Sequence, residues 1–158
     1  MRIVVFSDSH GNESAMRSVV DLHYNETDLF LHLGDGQRDF EKLAQRYPGK
    51  EMLGVRGNCD LGSQGKITDM IVCMEKRIFF THGHVFNVKR ELDTLIKNAR
   101  GIRSDIALFG HTHLAMCEYR EGLYLLNPGS IGTSGAVRPT YGIIDITDAG
   151  IAPHIVDY

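Results

Sequence analysis

Five short polar clusters, each holding glycine and each directly following an apolar run, constrain this chain more than any other feature. They are Asp8-Ser9-His10-Gly11, Gly34-Asp35-Gly36, Gly57-Asn58-Cys59-Asp60, His82-Gly83-His84 and Gly110-His111-Thr112-His113. The runs that lead into them (2–7, 29–33, 52–55, 77–81 and 105–109) are short and rich in apolar and β-branched residues, so they read as buried strands. Polar residues at the carboxyl ends of parallel strands converge on one crevice, and glycine there lets the backbone turn sharply.

The segments between the runs support that geometry. Ala15, Met16, Val19, Val20 and His23 repeat at helical spacing behind Asn12, a candidate cap. Phe40, Leu43, Ala44 and Tyr47 repeat likewise before Pro48-Gly49. Alternating strands and helices imply βαβ crossovers and a mostly parallel sheet near the N-terminus. From Lys66 onward two strand-like runs are joined only by Glu75-Lys76, a hairpin connection. A third helix then has Val88, Leu92, Leu95, Ile96 and Ala99 on its inner face, with Gly101 at its end. The last third reads as strands throughout. The expected fold is α/β: two mixed β-sheets packed face to face and flanked by helices, in a single domain over 1–158.

The clusters pool two carboxylates, one amide and four or five imidazoles. Each cluster alone is weak, because Asp-x-His or Gly-Asp usually marks a turn. Together they are not, since five of the eight histidines fall in these loops. An oxygen and nitrogen donor set of this kind suits Mn²⁺, Fe or Zn²⁺ better than Ca²⁺ or Mg²⁺. Seven candidate ligands (Asp8, His10, Asp35, Asn58, His82, His111 and His113) exceed the needs of one ion, so two divalent cations sharing a carboxylate are expected.

Composition narrows the partners. A net charge of −3 and 17 scattered Lys and Arg residues create no field for a polyanion, which argues against nucleic acid as a primary partner. Cys59, Cys73 and Cys117 are odd in number and lack CxxC pairing, so no disulfide framework or thiolate zinc site is implied. Neither a signal peptide nor a membrane span is evident, and the reading is a cytoplasmic protein. Oligomeric state is open, a homo-oligomer included.

At this point the motif series resembles the calcineurin-like metallophosphoesterase superfamily. Gly57-Asn58-Cys59-Asp60 and Asn127-Pro128-Gly129-Ser130 look like its small single-domain bacterial and archaeal phosphodiesterase branch. The resemblance implies that Asp8, His10 and His113 bind one metal, that Asn58, His82 and His111 bind the other, and that Asp35 bridges them. It further implies a phosphodiesterase in which a metal-bridging hydroxide attacks a small phosphodiester, with Mn²⁺ preferred and Fe, Zn²⁺ or Ni²⁺ as alternatives. The alternative function is a metal-binding scaffold of the same fold with little catalysis, since the superfamily includes a retromer subunit.

One position departs from the family pattern. Many relatives carry histidine where this chain has Cys59, and that histidine is thought to stabilise charge or protonate the leaving group. A thiol with a pKa near 8.5 is a weak donor, so the general acid is unassigned. His84 is a candidate for it, beside the reading of a loop histidine satisfied by backbone, and stays outside the metal set. Asn58 alone would read as a turn residue. His23, His32 and His154 read as structural, and Cys73 and Cys117 as packing residues within strands. The Asn127–Ser130 segment reads as loop-shaping, and Arg138 as an exposed cation or a phosphate clamp. Substrate specificity is expected from the loops 62–65 and 132–139.

Overall fold

A computed structural model describes residues 1–132 and 138–158; of the expected specificity loop 132–139, residues 133–137 lie outside the described residues. The first half runs β1 (Arg2–Phe6), α1 (Glu13–His23), β2 (Leu29–His32), α2 (Gln37–Arg46), β3 (Glu51–Gly54), β4 (Thr68–Cys73) and β5 (Lys76–Thr81). It continues through a single 3₁₀ turn (His84–Phe86) to α3 (Asp93–Gly101), β6 (Ile106–Leu108), β7 (Met116–Arg120), β8 (Leu123–Asn127), β9 (Thr140–Thr147) and β10 (Gly150–Asp157). Two five-stranded sheets result, ordered β10-β9-β1-β2-β3 and β4-β5-β6-β8-β7. Both are mixed. β1, β2 and β3 run parallel in one, β5, β6 and β8 in the other, and the remaining strands pair antiparallel.

Strand alternation builds the layers. Ile3 and Val5 of β1 face the other sheet, where they join Ile78, Phe80, Ile106 and Leu108 in one core. Val4 and Phe6, pointing the opposite way, meet Met16 and Val19 of α1 and Phe40 and Leu43 of α2. On the far side Phe79 and Ala107 meet Leu95, Ile96 and Ala99 of α3. Central strands are thus covered on both faces, which is why their sequences are continuously apolar rather than alternating. Each fully buried Val, Leu, Ile, Phe or Met side chain contributes about 1.5–3 kcal/mol relative to exposure.

Asn12 caps α1 as expected, its side-chain oxygen accepting from the Ala15 amide at 3.2 Å. The third helix differs from expectation. It starts at Asp93, after a turn in which the Arg90 amide donates to the carbonyl of Asn87, itself left-handed with φ 56°. Val88 nevertheless packs in the same apolar cluster as Leu95, so the side-chain pattern was right and the backbone reading was not. The left-handed residue after this helix is Arg103, with φ 55°, rather than Gly101. Cys73 packs partly against the core between the sheets, but Cys117 is exposed, since β7 is an edge strand.

Candidate metal centre

Three of the polar clusters leave the carboxyl ends of β1, β2 and β3, and two leave those of β5 and β6. The centre therefore straddles the rims of both sheets. Five of its residues hold left-handed backbone: Asp8 (φ 54°), His10 (43°), Asp35 (57°), His111 (68°) and His113 (62°). Such conformations cost on the order of 1–3 kcal/mol each outside glycine and persist where surrounding structure enforces them. Here the Asp8 amide donates to Gly34 and the His10 amide to Asp35, both at 3.0 Å. Glycine is required at Gly110, where a Cβ would lie 1.9 Å from Ser7 Oγ and 2.8 Å from Asp8 Oδ2. Only a bare Cα lets the histidine loop after β6 close onto Asp8.

The donor atoms gather in two groups, each within 4.8 Å: Asp8, His10 and His113 in one, Asp35, His82 and His111 in the other. In the first, His113 Nε2 lies 3.0 Å from Asp8 Oδ1 and 3.3 Å from His10 Nε2. In the second, His82 Nε2 lies 3.1 Å from His111 Nδ1, 3.4 Å from Asp35 Oδ2 and 3.2 Å from Asn58 Oδ1. Asp35 also falls within reach of His10 and Cys59, so its carboxylate extends toward both groups. All seven expected ligands are brought together.

The chemistry of this donor set fits divalent cations. His82 Nδ1 lies 2.8 Å from the Leu33 carbonyl, which can only accept, so Nδ1 carries the hydrogen and the neutral ring turns a bare Nε2 inward. Asp8 Oδ1 is buried without a well-formed hydrogen bond and faces the imidazoles of its group. Burial opposes charge on Asp8, yet His113, His82 and Ser7 outweigh it and hold the carboxyl below its usual range. Burial is likewise overcome at Asp35, where His82 and the Cys59 amide keep the carboxyl well below that range. His82 is raised despite its burial, because Asp35 and Asp8 favour its protonation. Such a pocket favours positive charge, and a divalent cation would take the place of that proton.

Sequence reasoning missed the residues that hold the ligands. Asp60 accepts from the backbone amides of Asp35, Gly36, Gln37 and Gly57 at 2.7–3.0 Å, tying the second and third clusters together. Its signal in the sequence was only a carboxylate two residues beyond Asn58. Ser7 and the His111 amide both donate to Asp8 Oδ2. Buried His32 accepts from the Gly34 amide and contacts Ser9 Oγ at 3.2 Å. Asn127 donates to the Gly110 carbonyl and to Thr112 Oγ1, and Ser130 donates to the Asp8 carbonyl, so that segment does shape the site.

His84 stands beside the deeper group, its ring 5.5 Å from that of His82, with a buried Nδ1 that has no hydrogen-bond partner among the described residues. Burial first, then the charge of His82, lowers its pKa. The Cys59 thiol is pushed up to about 11, chiefly by Asp35 and then by burial, so it stays protonated at neutral pH and donates weakly. Arg138 is exposed and reaches toward Asp157, at 3.8 Å.

Known proteins are similar to this chain in sequence and fold. The family model described as the calcineurin-like phosphoesterase superfamily domain matches residues 1–149. A probable metallophosphoesterase of Bacillus subtilis, YsnB, is 34% identical over 132 residues, covering 83% of this chain and 75% of that one. The Escherichia coli phosphodiesterase YfcE is 31% identical, covering 92% of this chain and 88% of its own. A Streptococcus pneumoniae structure described as a predicted phosphoesterase superposes with a TM-score of 0.85 at 26% identity, covering 99% of this chain and 88% of that one. With the model match spanning nearly its whole length, the chain belongs to the calcineurin-like phosphoesterase superfamily.

Proposed function

We propose that this protein is a phosphodiesterase dependent on two divalent cations, Mn²⁺ foremost, acting on a small phosphodiester. The observation that carries the reading is the Asp35 carboxylate, which lies within donor distance of His82 and His111 on one side and of His10 on the other. Asp8, His10 and His113 would hold one cation, Asn58, His82 and His111 the second, and Asp35 both. When bound, the pair supplies Lewis acidity toward the phosphoryl oxygens and lowers the pKa of a coordinated water. The name of YfcE, a phosphodiesterase, supports the same substrate class.

The protein's own groups position and orient. His82 is fixed by Leu33, Asp35 by the Cys59 amide, and Asp8 by Ser7 and the His111 amide. His10 and His113 form the more open side, where a substrate arrives. Proton donation to the leaving group is weak, because Cys59 is a poor acid and burial, then the charge of His82, disfavours the protonated form of His84. Aryl esters should therefore be cleaved far faster than alkyl esters.

The test is hydrolysis of an activated aryl phosphodiester with added Mn²⁺. His82→Ala should lower the rate at least about 100-fold. An unchanged rate overturns the assignment. A flat dependence on leaving-group pKa would reveal a proton donor, with His84→Gln the variant that identifies it.

A further inference from the structure

Adjoining the loop that carries His111 and His113 is a groove of about 530 Å³ that the metal centre does not use. Val88, Leu92, Phe109 and Met116 make its apolar lining, and Leu114, 62% exposed, adds to it at the surface. Thr112, the residue between the two histidines, lines it too and joins it to the centre. So does Lys89, whose positive charge acts on both His111 and His113.

Resting on the phosphodiesterase reading above, we infer that this groove receives an apolar ester arm of the substrate. The substrate class is then a singly charged phosphodiester with one alkyl or aryl substituent. A phosphodiester has one negative charge and two organic arms, and the groove offers one cation beside an apolar channel of matching character. A sugar or base fits it poorly. Thr112 Oγ1 is already engaged by the Leu114 amide and Asn127 Nδ2, and Lys89 is the one charged group among the described lining residues. Hydroxyls and ring nitrogens buried there would lose water without gaining partners. Another space beside the centre differs: that bounded by Arg38, Glu41 and the loop from Cys59 to Gly65 carries charges of both signs and suits a hydrated group.

The experiment uses the Mn²⁺-loaded full chain and a series of nitrophenyl phosphodiesters sharing one leaving group. The second arm is methyl, butyl, hexyl, phenyl or a nucleoside. From methyl to hexyl, kcat/KM should rise about threefold to fourfold per methylene that enters the groove, chiefly through KM. Leu114→Gln, at an exposed position, should flatten the rise while leaving the methyl ester unchanged. A flat series in the unsubstituted protein, or a nucleoside arm preferred over hexyl, overturns the inference and leaves the phosphodiesterase reading standing. Failure to hydrolyse any ester, methyl included, overturns that reading and the inference with it.

Discussion

The two ligand groups are built differently although they share one crevice. Around Asp35 and His82 every ligand is buried or half-buried except Asn58, and the rigid backbone holds both anchors: Leu33 orients His82, while the Cys59 amide and the Asp60-tied turn orient Asp35. Around Asp8 the carboxylate is buried, but the His10 side chain is 40% exposed and that of His113 30% exposed. Preorganised ligands lose little freedom on binding, whereas exposed side chains must be ordered at that moment. The deep group should therefore hold its cation tightly and the shallow one exchange it, leaving the exchangeable position on the side that solvent reaches.

Removing one histidine from each group tests that difference most sharply. His82→Ala should weaken binding of the tight cation by at least about 100-fold, whereas His10→Ala should retain one tightly held cation after dialysis and lose the weaker one. Metal analysis with calorimetric titration separates the two outcomes, and equal losses in both variants would erase the contrast. A smaller effect is expected from Asp60, which touches no cation. Asp60→Asn keeps one accepting oxygen where four amides now converge, so affinity at the deep group should fall about 10- to 100-fold while the shallow group is unchanged.

A separate effect concerns stability of the metal-free protein. His32 is fully buried, and burial lowers its pKa from 6.5 to about 4. A depressed folded-state pKa means the contribution is complete above about pH 6.5 and is lost as pH falls toward 4. It amounts to about 3 kcal/mol across that window. Denaturant unfolding in chelator at pH 7.5, 5.5 and 4 should show a shallower decline for His32→Gln than for the unsubstituted protein; parallel declines would mean His32 does not supply the term.

Much of this molecule was legible in its sequence for a definite reason. Strands such as 2–6 and 77–81 are buried on both faces, and that burial leaves a continuous apolar signature. Glycine and polar residues directly afterwards mark where the chain turns at the sheet rim. Signals that needed distant partners were not legible. Val88 keeps helical spacing with Leu92, yet Asn87 turns left-handed and the helix begins only at Asp93. Asp60 reads as an ordinary loop acid until its amide partners 23 to 25 residues away are seen.

The sequence by itself determined the strand and helix order and the pool of carboxylate, amide and imidazole donors, because burial period and residue chemistry are local properties. Tertiary structure alone decided which donor approaches which. It set the tautomer of His82 through a carbonyl 49 residues away, and left-handed backbone at five donors turned them toward a common centre. It also placed an apolar groove and a charged space beside the centre, since each is assembled from segments about 20 residues apart that meet only in the folded chain.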